Sequence, residues 1–367
     1  EKMDGGIMVT ASHNPPDYNG MKFVREQSRP ISGDNGLKDI QKIAESNAYS
    51  TPIQKGQRFD LDTRTKYIDH LLSYLDRSKL KKLKIVVNAG NGGAGAIVDQ
   101  LEAHLPFEFV KINHQPDGTF PNGVPNPMLE DNRVATSEAI RKHNADLGVA
   151  WDGDYDRCFL FDETGAFIEG YYIVGLLASV FLKREPGARI VHDPRLTWAT
   201  SDMVSSLGGK AVLSKSGHAF MKDVMRESDA AYGGEMSAHH YFRAFGYCDS
   251  GQVPWLLVAQ LMCESGKTLS SLVGERIAMF PASGEINRKV ADAKATIQQA
   301  RERYEPGSRT IDFTDGLSIE FDQWRFNLRS SNTEPLIRLN VESRGDAALM
   351  QAKTEELLRL IGGEVAH

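Results

Sequence analysis

"LGVAWDGDYDR" occupies residues 147–157, and its two halves obey different rules. Leu147 to Trp151 is an apolar run of strand length, whereas Asp152 to Arg157 is a polar, glycine-bearing loop that no regular strand continues through. The same passage from a short apolar strand to a polar loop recurs at "GGIMVTASHN" (5–14), "KIVVNAGNGG" (84–93), "RIVHDPRL" (189–196) and "AAYGGEMSAHH" (230–240). Helical patterns at 65–76 and 94–105 separate some of these runs. Strands alternating with helices predict α/β units with largely parallel sheets, whose ligands gather beyond the carboxyl ends of the strands, where these loops fall. The last part changes rhythm: "GLSIEFDQWRFNLRSSNTEPLIRLNVES" (316–343) reads as strand, strand, turn and strand. An amphipathic helix follows, with Met350, Leu357, Leu358 and Ile361 on one face, which predicts a small α+β domain. Loops and prolines place boundaries near 62, 161 and 281, giving units 1–62, 63–161, 162–280 and 281–367.

At 367 residues and 41% hydrophobic content, the chain is long enough for several domains with their own cores. A formal net charge of −6 argues against a general nucleic-acid binder, which carries a basic surplus. Cys158, Cys248 and Cys263 are odd in number and too far apart for a metal knuckle, which favours a reducing cytoplasm. No window has the apolar length of a membrane span, so no membrane partner is expected.

Asp152, Asp154 and Asp156 put three like charges on one short turn, and a divalent cation relieves their repulsion. All-oxygen ligands point to Mg²⁺ or a similar hard ion. An EF-hand is excluded, because Arg157 stands where its sharp turn needs glycine and strands flank the loop. Arg157 beside a metal suits a phosphate held between cation and guanidinium. Arg329, Ser331, Asn332 and Thr333 of "RSSNTEP" offer a planar fork, hydroxyls and amides suited to an anion nest, and Arg338 on the next strand favours phosphate over a plain capped hairpin. Glu235, Ser237, His239 and His240 in "GGEMSAHH" combine carboxylate, hydroxyl and imidazole, a set that fits adjacent sugar hydroxyls. Lys215 and His218 of "SKSGH" add a cation and a second imidazole. The run Gly90 to Gly95 satisfies GxGxxG, but lacks a placed acidic partner and reads as strand-to-helix packing instead of a dinucleotide site. "ESGKT" (264–268) has Leu261 where a phosphate loop opens on glycine.

Ser12 lies in "TASHNPPDYNG" (10–20), where Pro15, Pro16 and Gly20 exclude a regular helix. No GxSxG elbow is present, and His13 is a poor default base, since consecutive side chains on an extended loop diverge. A phosphoserine instead needs a hard metal, positive groups and a second anion site, and the motifs above supply all three.

Together, TASHNP with Asn19, Gly20 and Lys22, then DGDYDR, GEMSAHH and RSSNTEP, in that order, resemble the four active-site loops of the α-D-phosphohexomutases, in particular the bacterial phosphomannomutase type. The resemblance runs over essentially the whole chain. It implies three related mixed-sheet α/β domains, the first truncated, plus a C-terminal α+β domain around a central active-site cleft. It further implies that Ser12 is the phosphorylated residue and that Asp152, Asp154 and Asp156 hold Mg²⁺ with a phosphoserine oxygen, while Arg157 steadies the phosphoryl group. By the same resemblance Lys22 and His239 are candidates for proton transfer, and His13 and Asn14 line the serine loop. Glu235, Ser237, Lys215 and His218 would serve the sugar, and Arg329, Ser331, Asn332, Thr333 and Arg338 the phosphate that does not react. The expected partners are small hexose phosphates, with a hexose 1,6-bisphosphate as intermediate and activator. Mannose and glucose phosphates differ only at C2, so both remain open as substrates, and a non-catalytic sugar-phosphate binder is the competing class. Two departures stand out. Ala238 replaces a glycine common among relatives, and the family's first domain carries a segment before the serine loop, so a chain starting here is expected to have an exposed sheet edge and weak or no mutase activity.

Overall fold

The computed structural model describes residues 3–33, 35–50, 54–330 and 336–366. Its strands form four sheets, one for each loop. The first is a three-stranded antiparallel sheet of Gly5–Val9, Met21–Arg25 and Arg29–Pro30, with the helix Leu37–Ser46 following. Pro30 is the single buried residue among the described residues before Ile68, so this sheet draws little on a core of its own. Arg226, from the third unit, donates to the carbonyls of Gln27 and Ser28 at 3.0 and 3.3 Å and ties it down.

The second sheet is mixed. Lys84–Asn88 pairs in parallel with Glu108–Ile112 and Leu147–Trp151, and the latter pairs antiparallel with Cys158–Phe161. The third repeats the scheme, with Arg189–His192 parallel to Lys210–Leu213 and Tyr232–Gly234, followed by antiparallel His240–Phe242 and Cys248–Asp249. Parallel strands must be joined by crossovers, which explains the helices Ala94–Glu102, Val134–His143, Trp198–Ser206 and His218–Ser228 between them. The parallel content is smaller than the alternation predicts, because each sheet ends in hairpin-connected strands. One such hairpin runs from Cys158–Phe161 to Phe167–Ile168, so the second sheet continues past the boundary set at 161. Its two strands pair across a tight turn that the sequence pattern hides. The fourth sheet is antiparallel among its long strands, Leu317–Glu320, Trp324–Ser330 and Leu336–Ser343, with the helix Ala347–Ile361 packed through Leu357 and Ile361.

The second and third units share one continuous apolar core, from Ile68 to Phe280, that includes Trp151, Tyr171 and Trp255. The glycine run serves close packing: a β-carbon on Gly95 would lie 2.1 Å from the His114 carbonyl oxygen, and one on Gly92 would lie 2.5 Å from that of Gly153. The fourth unit is fastened to the third by a buried charge. Glu342, 0% exposed, accepts from Arg325 Nη1 at 2.8 Å, from the backbone N–H of Thr197 at 2.7 Å and from the Tyr171 hydroxyl. Arg325 in turn donates to the carbonyls of Arg195 and Pro194 at 3.0 and 2.9 Å. Removing one partner of such a pair leaves the other buried and unpaired. Glu342→Gln is therefore expected to destabilise the junction by roughly 3–5 kcal/mol, read as a lower urea midpoint with unchanged secondary structure at zero urea.

Candidate active site

Among the described residues, the loops that follow the carboxyl ends of Gly5–Val9, Leu147–Trp151 and Tyr232–Gly234 meet, Ser12 reaching Asp152 and Arg157 bridging to His239. The metal loop leaves Leu147–Trp151 and is held by Trp151 Nε1, which donates to the Gly251 carbonyl at 2.7 Å. The main chain then passes so close to Gly251 that a β-carbon there would sit 2.5 Å from the Tyr155 carbonyl oxygen. Arg157 and His239 form an antiparallel bridge, and Cys158 N–H donates to Ala238 at 3.1 Å, which stitches the metal loop to the sugar loop.

Ser12 has φ 55°, in the left-handed region that few non-glycine residues adopt. Strain of this kind clusters at functional sites. The turn brings the Ser12 carbonyl against Gly153, where a β-carbon would be 2.4 Å away, and places Ser12 Oγ 3.4 Å from Asp152 Oδ2. It also corrects the expectation for His13. The loop is not extended at Ser12, so the neighbouring side chains converge, with Ser12 Oγ 3.0 Å from His13 Nδ1. Burial, with Arg157 next, lowers the His13 pKa to about 4, keeping the ring neutral. Asn14 is exposed and donates to the Ala11 carbonyl at 2.8 Å, which shapes the loop.

The three aspartates come together within reach of one ion, each offering an oxygen within 4.8 Å of the others. Asp152 is fully buried, and burial followed by repulsion from Asp156 pushes its pKa up to about 7. Asp154 Oδ1 and Asp156 Oδ1 are buried without a hydrogen-bond partner. Lys22 answers part of this charge, its Nζ lying 3.2 Å from Asp154 Oδ2 and 2.6 Å from Asp156 Oδ2. Burial disfavours the ammonium, yet Asp156 and Asp154 outweigh it and hold Lys22 above its ordinary range. Orphaned carboxylate oxygens around a cation-seeking point fit a hard divalent ion such as Mg²⁺. Thr10, which sequence reasoning passed over, steadies the same loop by donating to Asp154 Oδ2 at 2.8 Å.

The histidine pair divides across its strand. His240 faces the core, where Tyr232 meets it at 2.7 Å, and burial lowers its pKa to about 3; His239 faces the cleft. Ala238 before it sits at φ 69°, a conformation glycine adopts without strain. Glu235 accepts from the Gly217 N–H at 2.9 Å and from Tyr241 Oη at 2.5 Å, tying the sugar loop to the "SKSGH" loop. Burial, then Lys222, lowers His218 to about 4. Arg195 was missed by sequence reasoning, although "DPRL" falls on a strand-to-loop passage. Its guanidinium is bidentate on Asp193, reaches Ser237 Oγ at 3.2 Å and lies 3.4 Å from Glu285.

Glu285 then links to the fourth unit, accepting from Arg329 Nη2 at 3.0 Å, with Arg338 3.6 Å away. Burial opposes its charge, but Arg195, Arg329 and Arg338 outweigh it and hold the carboxyl below its usual range. Lys215, Arg329 and Arg338 line one cavity of about 490 Å³ at this seam, together with Phe220, Phe313 and Asp315. Ser331, Asn332 and Thr333 lie outside the described residues.

Models of the phosphoglucomutase/phosphomannomutase alpha/beta/alpha domains I, II and III match residues 1–50, 65–165 and 169–280, and that of the C-terminal domain matches 285–359. A phosphomannomutase of Escherichia coli is 59% identical over 98% of this chain and 80% of its own length. The chain belongs to the phosphoglucomutase/phosphomannomutase family. A phosphohexose mutase of Xanthomonas campestris is 60% identical over 99% of this chain and 81% of its own. The crystal structure of a phosphoglucomutase/phosphomannomutase family protein from Burkholderia thailandensis superposes with a TM-score of 0.86 at 30% identity, covering 100% of this chain and 79% of that one.

At Asp152 the folded protein holds a proton that the unfolded chain releases near its ordinary carboxyl range, so this group's contribution to metal-free stability is full at low pH and lost as pH rises through about 7. A metal ligand must be ionised. The Mg²⁺-induced rise in thermal midpoint is therefore expected to need roughly tenfold more Mg²⁺ at pH 6 than at pH 8; equal titration curves at both pH values would contradict the assignment.

Proposed function

We propose that this enzyme is a phosphomannomutase that interconverts mannose 1-phosphate and mannose 6-phosphate through a phosphoserine at Ser12 and a hexose 1,6-bisphosphate. The observation that carries the reading is the seat of Ser12: its hydroxyl lies 3.4 Å from Asp152, over a three-carboxylate loop, with a separate arginine-lined cavity at the third–fourth seam. A hydrolase reading leaves that second, arginine-lined cavity without a role.

In the first step the free hydroxyl of the sugar monophosphate attacks the phosphorus carried by Ser12. A new sugar O–P bond forms, the Ser12 Oγ–P bond breaks, and the hydroxyl proton passes to a base. His239, 3.7 Å from Asp156, is the candidate to take it, while Lys22, whose ammonium Asp156 and Asp154 hold protonated, balances charge there instead. Arg157, whose side chain lies 3.4 Å from Asp152, balances charge on the phosphoryl group as it moves. Mg²⁺, held by Asp152, Asp154 and Asp156, would supply further charge neutralisation at that group. The phosphate that does not react is gripped by Lys215, Arg329 and Arg338, with Ser331, Asn332 and Thr333 adding donors, while Glu235, Ser237 and His218 address the ring hydroxyls. The bisphosphate turns end for end, and its other phosphoryl group returns to Ser12 by the reverse transfer. Positioning and charge stabilisation carry such chemistry, which matches what these loops contain. The three unpaired thiols suit a reducing cytoplasm as the site of action.

Ser12→Ala is expected to lower turnover of mannose 1-phosphate by roughly a thousandfold or more with an unchanged thermal midpoint. Incubation of the unaltered protein with phosphorus-32 hexose 1,6-bisphosphate should label the peptide containing Ser12 and no other. A variant that turns over normally, or label on a different residue, would falsify the phosphoserine mechanism; retained binding of both sugar phosphates without interconversion would mark a binder instead.

A further inference from the structure

One buried group of charges has no role in the reading above. Asp249, at the end of Cys248–Asp249, lies beside His239, with Oδ2 3.2 Å from Nδ1. Its other oxygen is 2.7 Å from Lys222 Nζ, which comes from the helix His218–Ser228 and also sits 5.8 Å over the Tyr241 ring. The side chains of Lys222, Asp249 and His239 are 10%, 9% and 13% exposed. Burial opposes the Asp249 charge, but Lys222 and then His239 outweigh it and hold the carboxyl well below its usual range. On the opposite edge of the imidazole, Arg157 Nε donates to His239 Nε2 at 3.0 Å.

These contacts dictate where the ring proton sits. A guanidinium N–H can be accepted only by a nitrogen carrying a lone pair, so the neutral ring bonded to Arg157 has its lone pair on Nε2 and its proton on Nδ1, towards Asp249. The Nδ1 contact is an ion-pair distance without the alignment of a straight hydrogen bond, and it still presents a carboxylate, which accepts and never donates, to the Nδ1–H. Asp156, His239 and Asp249 also lie close enough together to hold a cation. The Lys222 ammonium and the Arg157 guanidinium already occupy the outer sides of Asp249 and His239, which leaves this group an ion-pair relay.

We infer that Asp249, itself anchored by Lys222, is a positioning residue that fixes the His239 ring in the Nδ1–H tautomer, so that the Nε2 lone pair faces Arg157 and the reacting phosphoryl group. Its catalytic consequence rests on the mutase reading above; the tautomer itself does not. The logic is that of a carboxylate orienting a histidine in an acyl-transfer triad, here with a lysine orienting the carboxylate.

Lys222 makes the test sharp. In Asp249→Asn the side-chain carbonyl stays on the ammonium, which leaves the amide NH₂ to donate to Nδ1 and forces the proton to Nε2. In the full chain labelled with nitrogen-15 histidine, ring spectra recorded at pH 9 should show His239 protonated at Nδ1 in the unaltered protein and at Nε2 in Asp249→Asn. The kcat of the variant should fall roughly 10- to 100-fold while KM stays within about twofold. A merely structural pair would lower the thermal midpoint without moving the tautomer. An Nε2–H ring in the unaltered protein, or an Asp249→Asn ring and kcat both unchanged, overturns the inference. If Asp249→Asn does not fold, the spectrum of the unaltered protein decides alone. If Ser12 never labels while the tautomers behave as stated, the mutase reading fails and the positioning role of Asp249 stands.

Discussion

Three carboxylates on one turn of a buried loop are the constraint around which the rest of this molecule is arranged. Asp152 is wholly buried and the Asp156 side chain is 14% exposed, a setting where repulsion between like charges is stronger than in water. Such a loop holds its shape only if positive charge is brought to it from elsewhere. Lys22 arrives from the first unit, Arg157 from the loop itself, and Lys222 acts one step removed through Asp249 and His239. The same demand that draws these cations inward also creates a place for a divalent ion. Charge neutralisation here is both what holds the loops together and what phosphoryl transfer requires.

Because the cations come from different units, the site is only as well formed as the junctions between them. The second and third units share an apolar core, which gives the loops at 152–157 and 235–239 a fixed relation. The fourth unit has a core of its own and is joined through the buried Glu342–Arg325 pair. A charged junction of this kind is sensitive to geometry, since desolvated charges stabilise only when every partner is in place. Glu285 extends the junction to the site by gathering Arg195, Arg329 and Arg338 beside the cavity at the seam.

Backbone strain accompanies this convergence. Ser12, Tyr155 and Ala238 all take positive φ, and all three lie on loops that meet at the cleft. Each gains from its turn an approach that an extended backbone would forbid: Ser12 against Gly153, Tyr155 beneath Gly251, Ala238 against Cys158. The surrounding contacts over-determine these conformations, which is how such strain persists.

Much of the fold and the site was legible in the chain itself. Apolar runs ending in polar loops mark the strands at 84–88, 147–151 and 189–192, because backbone pleating and the polarity of a strand end are local properties. The carboxylate spacing of Asp152, Asp154 and Asp156 announces a cation for the same local reason. The hairpin beyond Phe161, the core-facing placement of His240, and the convergence of His13 on Ser12 were not legible, since each depends on a turn or a facing strand. Arg195, Lys222, Asp249 and Glu285 were hidden for a deeper reason. An isolated Asp, Glu, Lys or Arg is by default a solvated surface residue, and only its burial against a partner far along the chain turns it into part of a site. Residue types and local spacing determined which chemistry this protein holds; the packing of separate units, which buries charges together at low dielectric, decided which side chains take part in it.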